Sequence, residues 1–310
     1  MLAGGRILIM GAGAVGAYFG AKLAAAGADV VFVARGASLE ALRAHGLRID
    51  SATEPLRVAS IHAVATPAEA GPCALVLVCV KSYDTVAAAG ALAPAVERDT
   101  IILSLQNGIE NETVLADVLH VPPLIAALTH IGAELTAPGV VRHDSGGRII
   151  FGERHGKRSA RVEALAALLA SSGVAHHVSR RIEIMLWDKL AWNAAFNAAT
   201  AITRRSVGAL LADPDGRALV RSAMLEVVAT ANACGVPLEA ARVEPEIERS
   251  AVELGALRTS MLQDRDRGRR LEHDALNGAV VRSAARSGVP VPVNGVLHAV
   301  LAAIGSVHPP

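Results

Sequence analysis

The chain has 310 residues, 52% hydrophobic, 19% charged and only 3% aromatic, with a formal net charge of +1. That near-neutral balance gives no electrostatic basis for binding nucleic acid or an acidic membrane surface, and the length suffices for two domains with sizeable cores. No apolar run reaches the ~18 residues that a membrane-spanning helix requires, and much of the apolar content is alanine, a helix former rather than a lipid anchor.

The run Arg6-Ile7-Leu8-Ile9-Met10 enters the glycine loop Gly11-Ala12-Gly13-Ala14-Val15-Gly16. The run predicts a strand, and the alanine-rich stretch from Ala14 to Ala26 predicts a helix stopped by Gly27. Val30 to Val33 then completes a βαβ unit. G-x-G-x-x-G alone is a weak signal, but here strand, loop, helix and second strand stand in register. Gly11 permits the tight turn, Gly13 lets the backbone approach a pyrophosphate, and Gly16 lets the helix pack on the sheet. The helix N-terminus offers unpaired N–H groups and a positive dipole end to the phosphates. A strand–turn–helix without a ligand is the alternative that the pattern leaves open.

The residue after the second strand distinguishes the dinucleotides. An NAD site places Asp or Glu there for the ribose 2′-OH, whereas an NADP site uses a nearby arginine for the 2′-phosphate. This chain has Ala34-Arg35 and no acid until Glu40. A carboxylate would repel the phosphate and a guanidinium can bind it bidentately, so NADPH/NADP is the expected cofactor. A solvated surface arginine is the alternative.

Leu47-Arg48-Ile49 and Leu56-Arg57-Val58 read as a hairpin or short extra strands. Ala74 to Val80 is a continuous apolar run, expected of a strand buried on both faces, and ends on Lys81-Ser82. Thr100 to Leu105 ends on Gln106-Asn107-Gly108, and Leu124 to Leu128 ends on Thr129-His130. Ligands of open α/β sheets lie outside the C-terminal ends of the strands, so Lys81, Asn107 and His130 become candidates. Gly139 to Phe151 reads as two short strands around Asp144-Ser145-Gly146-Gly147, followed by a helix from Ser159 to Ser171 and a strand from Val174 to Val178.

Beyond Arg180 only helical stretches remain, about 181–203, 215–234, 246–264, 271–286 and 293–304, with stops at Gly235-Val236-Pro237 and Gly288-Val289-Pro290. The expected fold is α/β: an N-terminal Rossmann-type doubly wound sheet (1–180) that binds NADP, then an all-helical C-terminal domain (181–310) that holds substrate and catalytic groups. Alanine-rich helices such as 215–234 can pack within the subunit or across a homodimer.

Cys73, Cys79 and Cys234 form no disulfide framework and no C-x-x-C pair, and the eleven histidines form no H-E-x-x-H pattern. His176 and His177 are adjacent and face opposite sides of a strand. No metal is therefore expected. The first apolar run lacks a basic n-region and a cleavage site, which favours a cytoplasmic protein.

Lys189, Asn193 and Asn197 are spaced by four on the predicted helix 181–203. At ~100° per residue each step drifts by only ~40°, so the three form one stripe. Apolar stripes flank it: Leu186, Leu190, Ala194, and Trp187, Ala191. Two readings of the stripe stand level: polar groups paired inside an apolar setting, or the solvent face of an ordinary amphipathic helix. A partly desolvated lysine has a lowered pKa, which suits a proton donor near neutral pH. Glu272 follows Arg269-Arg270, so by spacing it reads as a surface ion pair.

Taken together the chain resembles the ketopantoate reductases (2-dehydropantoate 2-reductases), almost from end to end. The resemblance rests on Gly11-x-Gly13-Ala14-x-Gly16, Arg35, Lys81, Gln106-Asn107-Gly108, Leu186-Trp187-x-Lys189-Leu190-Ala191-x-Asn193, Asn197, Ser260-Met261-Leu262-Gln263-Asp264 and Glu272-x-Asp274-x-x-Asn277-Gly278. It implies NADPH-dependent reduction of a 2-oxo acid in a cleft between a Rossmann domain and a helical domain. It implies Lys189 as general acid, Glu272 at the substrate's hydroxyl end, and Asn107 near the nicotinamide, holding Lys189 or the substrate oxygen. Asn193 and Asn197 would orient the substrate and Ser260 its carboxylate. Gly11, Ala12, Gly13, Ala14, Val15, Gly16, Arg35, Lys81 and Asn107 would bind the cofactor.

The chain departs from the family pattern at three places. Val207 and Leu257 stand where polar residues occur in relatives, and Arg270-Leu271 precede Glu272 where Pro-Thr or His-Thr is common. The departures imply a less polar pocket and admit a paralogue acting on another 2-oxo acid. β-Hydroxyacid dehydrogenases share a Lys-x-x-x-Asn helix, but Arg35 and the Ser-Met-Leu-Gln-Asp motif argue against them. A redox sensor holding NADP without turnover is the remaining alternative, and it has no use for Lys189, Asn193 and Glu272 together.

Overall fold

Short runs of β-branched and aliphatic residues build the first layer. In the computed structural model, which describes Leu2 and residues 4–306, β1 (Ile7–Met10), α1 (Ala14–Ala25) and β2 (Val30–Val33) form a βαβ unit with Ile7 opposite Val30 and Met10 opposite Val33. There follow α2 (Gly36–His45), β3 (Leu47–Ser51), β4 (Leu56–Val58), β5 (His62–Val64) and β6 (Leu75–Val78). Next come α3 (Thr85–Leu92), β7 (Ile101–Ser104), α4 (Asn111–Leu119), β8 (Ala126–Ala137), β9 (Val140–Gly152), α5 (Ala160–Ser171) and β10 (Ala175–Val178).

The first sheet runs β5-β2-β1-β6-β7, all parallel. Every residue of β1, β2, β6 and β7 is buried, which is why these strands read as unbroken apolar runs. Chain order reverses between β1 and β6, the switch point beside which α/β sheets bind their ligands. The glycine loop leaves β1 there, Lys81 follows β6, and Asn107 follows β7.

A second sheet, β10-β9-β3-β4 with β8 antiparallel to β9, lies over α1. Ala17, Phe19 and Leu23 of α1 share one core with Ile9 and Phe32 of the first sheet and Ile49, Val141, Ile149 and Phe151 of the second. Two expectations fail here. Gly139 to Phe151 is one long strand, because Gly146 (φ +76°) and Gly147 (φ +99°) form an irregularity inside β9 rather than a turn. The strand expected to stop at Thr129-His130 continues to Ala137, so His130 is an exposed mid-strand residue opposite Arg148 and not a strand-end group.

The chain divides into two compact units, one holding residues up to Asn107 and Asn111–Ile182, the other Gly108–Glu110 and Glu183 onward. The second unit is helical: α6 (Ile182–Thr203), α7 (Val207–Leu211), α8 (Pro214–Ala233), α9 (Val243–Glu253), α10 (Ser260–Asp266), α11 (Ala279–Ser287) and α12 (Pro292–Ser306). Phe196, Val220, Val227, Ile247, Leu276, Val280 and Leu301 sit in its core. The single helix expected over 246–264 is two, α9 and α10. Its middle is given up to a backbone contact, in which Gly208 donates to the Gly255 carbonyl at 2.8 Å and Val207 to that of Leu257 at 3.1 Å. α7, unforeseen, starts at the Ser206 cap, whose hydroxyl accepts from Ala209 N–H. The stretch 271–286 contains a π-helical turn, Asp274–Gly278, before α11. Among the described residues no helix is long and apolar enough to cross a membrane.

Candidate functional site

The three loop glycines are glycine for three different reasons. Gly11 has φ +103°, and a Cβ there would lie 2.9–3.1 Å from Val80 and Cys79 atoms. At Gly16 a Cβ would run into the Gly11 carbonyl oxygen and lie 2.9 Å from Ile9 Cγ2, so this glycine serves helix–strand packing. Gly13 has an ordinary φ of −73° and nothing within 4 Å of the Cβ position. Neither torsion nor neighbour requires glycine at 13, so the open space suits close approach by a ligand. Gly13 is the N-cap of α1 and no side chain caps the helix, leaving its first amides to a ligand. An anionic pyrophosphate fits this arrangement, with Ala12 in the partly exposed loop and Ala14 and Val15 in the partly exposed first turn of α1.

Arg35 precedes α2 as its N-cap residue and is exposed, and among the described residues its guanidinium has no hydrogen bond or ion pair. Lys81 is half-buried at the head of a 3-10 turn, Ser82–Asp84. Asn107 is half-buried in a loop fixed by a buried relay. Asn111 Nδ2 donates to the Asn107 carbonyl at 2.7 Å, Thr85 Oγ1 lies 3.0 Å from Asn111 Oδ1, and Gln106 Nε2 donates to Thr85 Oγ1 at 2.8 Å. Thr85 and Asn111 went unnoticed in the sequence, because nothing in their spacing links two separate helix starts.

In the helical unit, the stripe on α6 points inward. Asn193 is 7% exposed and Asn197 2% exposed, so the solvent-face reading fails. Asn197 Nδ2 donates to Asn193 Oδ1 at 3.1 Å, while Ser260 Oγ and Met261 N–H, at the start of α10, approach Asn197 Oδ1 at 3.4 Å. Asn193 ends this amide chain, and its own NH2 has no partner among the described residues. One turn before it, the half-buried Lys189 has its pKa lowered from 10.5 to about 8. Burial of the ammonium is the cause, and the Glu272 carboxylate opposes it by raising the value. Glu272 is 7% exposed, so the surface ion-pair reading fails as well. Leu271 beside it is also buried, which turns the pair inward.

Thus Lys189, Asn193, Asn197, Ser260 and Glu272 gather in the helical unit. The glycine loop, Arg35, Lys81 and Asn107 share the C-terminal edge of the parallel sheet, whereas His130 lies within β8 of the second sheet. Val207 is fully buried in the helical core, and Leu257 packs on that core, so these two of the three departures from the family pattern are packing positions. Asn277 also proves structural. Its Nδ2 donates to the Ala194 carbonyl at 2.9 Å and to Asn294 Oδ1 at 3.1 Å, tying the π-helical turn to α6 and α12. Asn294 in turn donates to Glu226, whose carboxylate also accepts the Val293 and Asn294 amides at 2.8 Å. Among the described residues no group of three or more His, Cys, Asp or Glu could hold a metal.

Residues 7–156 match the family model of ketopantoate reductase PanE/ApbA, and residues 181–305 match that of its C-terminal part. The chain belongs to the ketopantoate reductase family. A 2-dehydropantoate 2-reductase of Halobacterium salinarum is 36% identical over 292 residues, spanning 93% of this chain and 95% of that one. The crystal structure of a PanE/ApbA family ketopantoate reductase from Ralstonia eutropha JMP134 is 38% identical with a TM-score of 0.90, covering 98% of this chain and 99% of the other. A 2-dehydropantoate 2-reductase structure from Geobacter metallireducens GS-15 is 35% identical with a TM-score of 0.91, covering 96% and 99%. Membership of the ketopantoate reductase family makes the chain an oxidoreductase, and it bears out the resemblance read from the sequence motifs.

Proposed function

We propose that the protein reduces ketopantoate to pantoate with NADPH, as in pantothenate biosynthesis. The observation that carries this reading is the inward stripe on α6: a desolvated lysine, a neighbouring carboxylate and a hydrogen-bonded amide pair. A protein that merely held a dinucleotide has no use for this arrangement. Gly11, Gly13 and Gly16 with Ala12, Ala14 and Val15 hold the pyrophosphate, Arg35 the 2′-phosphate, and Lys81 and Asn107 the remainder of the cofactor. When bound, the nicotinamide supplies a hydride for the C2 carbonyl carbon.

Lys189 acts on the carbonyl oxygen. With a pKa near 8 it is mostly protonated at neutral pH yet gives up its proton readily. As negative charge develops on the oxygen, the ammonium stabilises it and then transfers the proton, leaving a 2-hydroxy acid and a neutral amine that solvent reprotonates. Asn193 donates its uncommitted NH2 to the substrate, Asn197 holds Asn193 in place, and Ser260 donates to the carboxylate. Glu272 accepts from the substrate's hydroxyl and keeps the pKa of Lys189 from falling further.

Expression in a bacterial pantothenate auxotroph that lacks its own ketopantoate reductase tests the reading. Growth without added pantothenate is expected from the wild type and not from Lys189→Ala. Failure of the expressed, folded wild type to restore growth would count against ketopantoate as the substrate.

A further inference from the structure

We propose that Arg282 is a positioning residue that braces, through one guanidinium, the chain segments bearing Asn107 and Glu272. The proposal rests on the reading above, in which those two residues serve the reaction. Arg282 lies on α11 and is itself no part of the groups assigned there. Its Nε and Nη2 donate to Glu110 Oε2 at 3.2 and 2.7 Å. Nη1 donates to Asp274 Oδ1 at 2.8 Å, and Nη2 also reaches the Asp274 carbonyl at 2.9 Å.

Each end of this clamp matters for a different reason. Glu110 belongs to Gly108–Glu110, three residues that pack with the helical unit although Asn107 and Asn111 on either side pack with the sheet unit. Three residues from Glu110, Asn107 is held from the sheet side by the Asn111 relay. Gly108, between them, has φ +105°, a conformation that costs an L residue strain and fixes the path of the strap. At the other end, Asp274 starts the π-helical turn two residues after Glu272. Such turns lack regular α-helical bonding, and a side chain that bonds both the carbonyl and the carboxylate of the first residue fixes where the turn starts.

Gly278 supplies an independent sign that the clamp is built into the fold. Its backbone is ordinary helix at φ −60°, so no torsion calls for glycine. A Cβ there would lie 2.6 Å from Asp274 Oδ1, 3.0 Å from His298 Nε2 and 3.1 Å from Arg282 Nη1. The glycine thus leaves room for the ion cluster. Arg286 and His298 stand around it at longer range, Nη2 3.9 Å from Glu110 Oε1 and Nε2 3.4 Å from Asp274 Oδ1. Lysine cannot replace Arg282, because one ammonium cannot span two carboxylates and a carbonyl.

Hydrogen exchange on the full-length protein tests the clamp without reference to activity. In Arg282→Ala, amides around Glu110 and around Asp274 are expected to exchange together, at least about ten-fold faster than in wild type. No change, or a change at one segment alone, would overturn the proposal. Kinetics test what the clamp is for: kcat is expected to fall roughly 10- to 100-fold, as for a small misplacement of reacting groups, with a smaller rise in the NADPH Kd, because Asn107 is only one of several groups assigned to the cofactor. Arg282→Lys should recover less than about half of that loss on a logarithmic scale. If Arg282→Ala does not fold, Glu110→Gln and Arg282→Lys carry the same comparison. A kcat within about two-fold of wild type in a folded variant would overturn the positioning role. Wild type that turns over no 2-oxo acid counts instead against the functional reading, and exchange then judges the clamp alone.

Discussion

Replacing Lys189 by methionine keeps much of the apolar stem and removes the charge. The drop in pKa from 10.5 to about 8 means the folded protein disfavours the ammonium by about 3 kcal/mol relative to the unfolded chain. Between those two values the unfolded chain binds more protons than the folded one, so stability must rise with pH. The penalty is fully present below about pH 8 and gone above 10.5, and the gain between pH 8 and 10 is about 2 kcal/mol. Methionine abolishes that gain. Its absolute offset includes the cost of removing the Lys189 charge from beside Glu272, so the slope carries the prediction. Trp187 and Trp192 both lie on α6 and make fluorescence a reporter of the helical unit. Urea unfolding followed by that signal should show the wild type gaining about 2 kcal/mol on Lys189→Met from pH 8 to 10. Tyr18, whose pKa burial raises, opposes this gain only above its ordinary 10.0 and lies in the other unit. A wild-type/variant difference that stays constant across the window would refute the desolvated lysine.

The same titration predicts that kcat for reduction falls above about pH 8, tending to ten-fold per unit, as the acid form is lost; a flat profile to pH 10 would remove Lys189 as the donor. Arg35→Asp should weaken NADPH roughly 100-fold and NADH by less than about three-fold, read by titration calorimetry, because only the former carries the 2′-phosphate. Gly13→Ala meets open space and should leave thermal stability nearly unchanged while NADPH binding weakens about ten-fold; Gly16→Ala meets the Gly11 carbonyl and should cost about 1–3 kcal/mol of stability. Asn277→Ala should cost about 1–3 kcal/mol in the helical unit, measured by the same fluorescence, since two buried hydrogen bonds are lost.

Much of the parallel sheet was legible because burial on both faces leaves one mark, an unbroken apolar run, and because the glycine loop has few other uses. Gly146-Gly147 misled for a physical reason: positive φ serves an irregularity inside a long strand as well as a turn. The helix pair α9 and α10 was hidden because the contact that separates them, Gly208 on Gly255, joins residues nearly fifty apart in sequence. At the site, spacing placed Lys189, Asn193 and Asn197 on one stripe but could not say which way it faced. Local charge pointed Glu272 outward beside Arg269 and Arg270, whereas its burial is decided by helices that pack from elsewhere in the chain. Asn277 and Gly278 belong to the motif through structure: one ties three helical elements together, and the other leaves space for Arg282 and Asp274.

The most direct measurement is steady-state NADPH oxidation by the purified protein over a panel of 2-oxo acids, with the product identified by mass spectrometry. Ketopantoate should give the highest kcat/KM and yield pantoate, and Lys189→Ala should lose about 10²- to 10⁴-fold in kcat. A higher kcat/KM with another 2-oxo acid, or undiminished turnover in Lys189→Ala, would contradict the account.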